Sequence, residues 1–146
     1  MIVDTSALLA FLDRLEEAHQ SVCAAVDASD GPFVVSEMVL AELDYLVLSR
    51  YGVAAELKML EALADGSWTI ESLTADELPT ATTVVTRYRD LEIGLTDATN
   101  VVLAHRFRTP TILTLDHRHF DVLRQMNGRP FEVLPRDRKS TRLNPV

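Results

Sequence analysis

Cysteine is almost missing from this chain. Its one copy, Cys23, cannot close an internal disulfide, and no Cys/His spacing of a zinc site accompanies it. Cys23 lies among Val22, Ala24 and Ala25 in a helical pattern and reads as core rather than as a nucleophile. Glycine is scarce too, five in 146 residues, and none of them builds a Gly-rich phosphate loop, which argues against P-loop phosphoryl transfer. The Gly-x-Ser-x-Gly elbow of the α/β-hydrolases does not occur. No apolar run approaches the roughly 20 residues that cross a bilayer. The opening Met1-Ile2-Val3-Asp4 has no basic segment of the kind that starts a secretory signal. Internal repeats and low-complexity tracts are absent. These absences lead us to expect a cytoplasmic protein that does not contact a membrane.

Lysine is rare as well: Lys58 and Lys139 stand against twelve arginines. Arginine favours bidentate contact with phosphate. The net charge of −8 seen over the whole chain hides an asymmetry. Residues 104–146 carry nine of the 14 basic and four of the 22 acidic residues, a net of +5, which leaves −13 on residues 1–103. Such a split can mark a nucleic-acid-facing side, although a basic tail of no specific role gives the same count.

At 146 residues and 47% apolar content the chain is expected to form one domain with one core. Residues 1–4, 33–35, 68–70, 111–114 and 131–134 read as five short strands. Helical patterns alternate with them. One follows Thr5 or Ser6 as its cap and carries Leu8 to Leu15, and one runs from a Ser36 cap to about Arg50, where Gly52 stops it. Others cover 53–65, the stretch after the capping box Thr74–Glu77, a segment from a Thr96 cap to near Arg108, and about 118–126. Strands alternating with helices predict βαβ units and a largely parallel sheet covered on both faces. Residues 135–146 lack a core pattern and are expected to form a basic tail, with 139–146 a disordered end or an expression scar.

Four acidic residues fall where such a sheet could bring them together. Asp4 ends the first strand, Glu42 sits inside the apolar stretch Val39–Leu43, Asp97 opens a helix, and Asp116 follows the fourth strand. Ligands in these sheets bind beyond the carboxyl ends of the strands. A carboxylate beside a core element is costly to bury alone, and several together repel unless a cation lies among them. Hard oxygen donors suit Mg²⁺ or Mn²⁺, and metal–carboxylate sites process phosphate esters. The bland readings are real. Asp97 is favoured by the helix dipole, Asp116 can cap the helix behind it, and Asp44 shares the position argument of Glu42. His105, His117 and His119 fit no zinc pattern and are read as surface or RNA-contact residues. The two lysines are misplaced for a phospho-receiver module, and Asp4-Thr5-Ser6 lacks the Asp-x-Asp of a haloacid-dehalogenase-type phosphatase.

The segments Met1–Ala7, Ser36–Leu43, Gly94–Ala98 and Leu113–Phe120, in that order and spacing, resemble PIN-domain ribonucleases, and more narrowly VapC toxins of bacterial toxin–antitoxin pairs. The resemblance covers about residues 1–134. It implies a PIN-like α/β/α sandwich around a central, mainly parallel sheet of about five short strands. It implies a metal-dependent endoribonuclease in which Asp4, Glu42, Asp97 and Asp116 are catalytic and bind Mg²⁺, with Mn²⁺ as a substitute. Ser6 and Thr114 match positions where the family places a hydroxyl in support of the acids; Asp44 has no counterpart and is taken as structural. In-line attack of an activated water would leave a 5′-phosphate and a 3′-hydroxyl. The implied substrate is a structured RNA loop of tRNA or rRNA, and the implied partner is a cognate antitoxin. Arg106, Arg108, Arg118 and Arg124 are the candidates for holding the RNA backbone. The helix over 37–48 is apolar on nearly every side, which predicts an interface and a homodimer. The competing reading is a catalytically silent PIN-like scaffold that binds RNA or protein.

Overall fold

The computed structural model describes residues 1–136; of the tail expected over 135–146, residues 137–146 lie outside the described residues. Five strands form one sheet in the order β3–β2–β1–β4–β5: β1 (Ile2–Val3), β2 (Phe33–Ser36), β3 (Trp68–Glu71), β4 (Thr111–Leu113) and β5 (Glu132–Leu134). Every pairing is parallel, with Ile2 beside both Val34 and Ile112, and Leu113 beside Leu134. The helices are α1 (Thr5–Leu12), α2 (His19–Asp27), α3 (Glu37–Tyr51), α4 (Val53–Leu63), α5 (Leu78–Arg87), α6 (Leu95–Arg106) and α7 (His117–Phe120).

The strands are short because each needs only two or three inward steps. Successive side chains leave opposite faces of a strand. Ile2, Val34 and Ile112 therefore enter one core with Ala81, Val84, Val101 and Phe120. Their successors Val3, Val35 and Leu113 enter the other, with Leu8, Val22, Leu43 and Met59. Helices α1–α4 cover the second face and α5 and α6 the first, so two cores sandwich a sheet apolar on both sides.

Local chemistry sets the element ends. The Ser36 hydroxyl accepts the Val39 N–H at 3.0 Å, and Gly52 at φ 84 ends α3. Thr74 and Glu77 form the reciprocal capping box, at 3.0 and 3.3 Å, just before α5. Other boundaries depart from the sequence reading. Neither Thr5 nor Ser6 caps α1: Asp4 holds the cap position without a side-chain cap bond, and the Ser6 hydroxyl instead accepts the Leu115 N–H at 2.9 Å. Leu15 lies beyond α1 and is 93% exposed. Gly94, not Thr96, precedes α6, which stops at Arg106, and α7 is a single turn ending at Phe120.

In the sheet order, β1 is flanked by β2 on one side and β4 on the other. The chain moves outward from β1 in one direction, then crosses to β4 to fill the other. That is the switch point where a crevice opens beyond the strand ends. Residues just after β1 and β4 face it, and the first turn of α6 closes it.

Candidate active site

The crevice is lined by Asp4, Glu42, Asp97 and Asp116, together with Thr5, Ser6, Arg50, Thr96 and His119, around about 410 Å³ of space. Asp4 is the deepest. Its backbone N–H donates to the Leu113 carbonyl at 2.9 Å, which locks the end of β1 to the end of β4. Both of its carboxylate oxygens are engaged. The Thr114 hydroxyl donates to Oδ2 at 2.8 Å and the Asn100 amide to Oδ1 at 3.2 Å. The Ser6 hydroxyl stands 3.3 Å from that of Thr114, which also accepts the Asp116 N–H at 3.0 Å. Ser6 and Thr114 thus tie the turns after β1 and β4 together beneath the acids.

Asp97 sits in the first turn of α6 and is mostly buried. His119 Nδ1 lies 2.7 Å from Asp97 Oδ2 and 3.2 Å from Asp116 Oδ2. Asp116 caps α7 by accepting the His119 N–H at 3.2 Å. Ligand atoms of Asp97, Asp116 and His119 all lie within 4.8 Å of one another. Glu42 reaches the crevice from α3 and is exposed.

Electrostatics here are unfavourable to the bare protein. Burial raises Asp4 from the ordinary 3.8 to about 6; the Thr114 hydrogen bond opposes the rise, and Asp97 and Glu42 add to it. Asp97 is also raised, first by burial, against the opposing hydrogen bond of His119, with Asp116 and Glu42 adding repulsion. Among the described residues no lysine or arginine forms an ion pair with any of the four acids. Two buried side-chain atoms lack a hydrogen-bond partner, Thr5 Oγ1 and Asn100 Oδ1, and both belong to residues next to Asp4. The donor set is hard oxygen with one imidazole at its edge, and it fits a divalent cation such as Mg²⁺ or Mn²⁺.

All four acids picked out in the sequence therefore meet. The four arginines do not join them. Arg106 points its guanidinium at Glu71 (3.0 Å), Glu77 and the Ser72 carbonyl (2.8 Å), an intramolecular clasp. Arg124 caps its own turn through the carbonyls of Asp121, Val122 and Leu123 at 3.0–3.3 Å. Arg108 lies at the opposite end of α6 from Asp97. Arg118 is exposed on α7, between Asp116 and His119 in sequence. Of the apolar neighbours of Glu42 on α3, Met38 and Leu46 are half-buried, Met38 accepting the Thr99 hydroxyl at 3.2 Å and Leu46 lining the crevice, while Tyr45 faces outward. Val39, Leu43 and Val47 form the buried face of α3, and Tyr45 is 70% exposed.

Three residues escaped the sequence reading. His119, taken as a surface group, bridges two acids. Asn100 is fully buried against Asp4. Arg50 borders the crevice. Helical spacing offered the signal: Asn100 follows Asp97 by three, His119 follows Asp116 by three, and Arg50 follows Glu42 by eight.

Comparison with known proteins agrees with this geometry. The PIN-domain family model matches residues 1–125. Ribonuclease VapC26 of Mycobacterium tuberculosis is 53% identical over 135 residues, 92% of this chain and all of that protein. The fold is similar to the crystal structure of M. tuberculosis VapC20, a sarcin–ricin loop cleaving toxin (TM-score 0.69, 22% identity, 76% of this chain and 85% of that one). It is similar also to a chain of a toxin–antitoxin complex from Klebsiella pneumoniae (TM-score 0.64, 17% identity, 84% and 91%).

Proposed function

The chain belongs to the PIN-domain family and, within it, to the VapC ribonuclease toxins, and we propose that its reaction is Mg²⁺-supported hydrolysis of a phosphodiester bond in a structured RNA loop of tRNA or rRNA. The observation that carries this reading is the crevice itself. Four carboxylates converge at the switch point of the sheet, and no lysine or arginine among the described residues pairs with them.

We assign Asp4, Asp97, Glu42 and Asp116 to the cation. What such an ion supplies when bound is acidification of a water and neutralisation of charge on the scissile phosphate. The protein's own groups do the positioning. Thr114 and Asn100 fix both oxygens of Asp4, so its carboxylate cannot rotate away. Ser6 holds the turn that carries Asp116. His119 holds Asp97 and Asp116 toward each other. Arg118, exposed beside the acids, is assigned to the RNA backbone near the cut. No covalent intermediate is invoked, and none of the lining residues is a primed nucleophile.

We assign the folded unit to residues 1–134, since β5 ends at Leu134, and the site of action to the cytoplasm. No helix among the described residues is long and apolar enough to cross a membrane. A cognate antitoxin is assigned to the apolar groove of about 390 Å³ between α1 and the α3–α4 pair, where Leu9 borders both groove and crevice. A chain end laid there reaches the acids and can place an arginine among them. Tyr45, Tyr51, Val53 and Leu57 are more than half exposed on α3 and α4, which supports a homodimer as well. The test is cleavage of a tRNA and rRNA pool by purified protein. EDTA should abolish it and Mg²⁺ or Mn²⁺ restore it; full activity in excess EDTA contradicts the reading.

A further inference from the structure

The far end of α6 differs from its active-site end in charge and in backbone. A cleft of about 810 Å³ opens there, lined by His105, Arg106, Arg108, Asn127 and Arg129, among others, and by no acidic residue. Arg106 turns away to Glu71 and Glu77. His105, Arg108 and Arg129 remain exposed, with no ion pair to an acid among the described residues.

The backbone supplies a second observation. The last turn of α6 is closed by the Thr109 N–H donating to the Ala104 carbonyl at 3.0 Å. That closure places its penultimate residue in the left-handed region, where glycine is the usual choice. Arg108 stands there instead, at φ 51. A side chain kept at a position that favours none points to a use for it.

We propose that His105, Arg108 and Arg129 form a second contact site for the phosphate backbone of a structured RNA, a proposal that rests on the ribonuclease reading above. From Asp97 to Arg108 the helix rises about 16 Å. At about 3.4 Å per stacked nucleotide a dinucleotide bound at the acids spans only about 7 Å and does not extend that far, whereas the stem below a cleaved loop does. Double-stranded RNA is gripped through its phosphates and shape rather than its sequence. The cleft therefore selects for structured substrates without reading bases.

The test is binding of a stem–loop RNA, followed by anisotropy in an Asp4→Asn background so that no cutting occurs. Arg108→Gly with Arg129→Ala should weaken binding on the order of tenfold at 0.1 M salt, and lower the slope of log K against log salt by about 1.4–1.8. A dinucleotide, which is too short to reach the cleft from the acids, should show a much smaller change. Because glycine suits φ 51, Arg108→Gly should melt no lower than the parent, a result that an architectural arginine would not give. Equal affinity and slope for parent and variant overturn the proposal, as does equal weakening for both RNAs. Weakened binding of the antitoxin with RNA binding intact overturns it too, and assigns the cleft to protein. Failure of the ribonuclease reading is seen separately, as no metal-dependent cutting by the parent protein.

Discussion

Two carboxylate clusters in this molecule resolve the same repulsion in opposite ways. Glu71 and Glu77 meet on the guanidinium of Arg106, which also donates to the Ser72 carbonyl. Glu77 is held down to about 2 from its ordinary 4.5, chiefly by that arginine. At the switch point of the sheet, Asp4, Glu42, Asp97 and Asp116 meet with no such arginine, and Asp4 rises to about 6. The first cluster is complete within the protein. The second is complete only with a cation from outside. A neutralised cluster serves the fold, and an uncompensated one costs the fold stability and serves function.

The largest consequence concerns Asp4→Asn. Cleavage should fall by at least about 100-fold, since loss of even an outer partner of a metal ligand costs about 10–100-fold. The metal-free protein should become more stable, by up to about 2–3 kcal/mol at pH 7, because a buried charge with a raised pKa is gone. Calorimetric melting and initial rates on one preparation check both. Asn100→Ala should lower cleavage about tenfold by freeing one oxygen of Asp4, without the gain in stability. Among Asp4, Asp97 and Asp116, Asp116→Asn should be mildest, because Asp116 is the least buried of the three.

The arginine clasp should behave in the reverse manner. Arg106→Ala should cost about 1–2 kcal/mol, discounted for partial exposure, and leave the cleavage rate per folded molecule near that of the parent. A comparable loss of rate would mean that Arg106 touches RNA.

The smallest effects are in pH. Asp4 binds a proton in the folded state between its unfolded value of 3.8 and about 6, so metal-free stability should fall as pH rises through that window. Glu77 has the opposite sign: its contribution is present above 4.5 and is lost as pH falls toward about 2. Melting temperatures of Asp4→Asn should be flatter than the parent's across the first window, where Asp97 still contributes, and those of Arg106→Ala flatter across the second. Parallel curves for all three proteins contradict the contrast.

The sheet and the acids were legible in the sequence for one reason: both are written in short-range patterns. Ile2-Val3, Val34-Val35 and Ile112-Leu113 are apolar pairs that only a sheet covered on both faces can use. An acid just beyond such a pair has few places to go. What was not legible depends on long-range partners. Arg106 looked like a free cation because Glu71 and Glu77 lie 35 and 29 residues away. His119 looked like a surface group because Asp97 is 22 residues distant. Capping was misjudged at Thr5 and Ser6 because the Ser6 hydroxyl is drawn to Leu115, 109 residues on. Propensity offered a local partner, and tertiary structure supplied a different one.

Titration of Mg²⁺ and Mn²⁺ into the metal-free protein by calorimetry tests the central claim most directly. Saturable binding below millimolar concentration is expected in the parent, and none in Asp4→Asn at equal or higher melting temperature. No binding by the parent at millimolar cation, or undiminished binding by Asp4→Asn, contradicts the account and favours a silent scaffold.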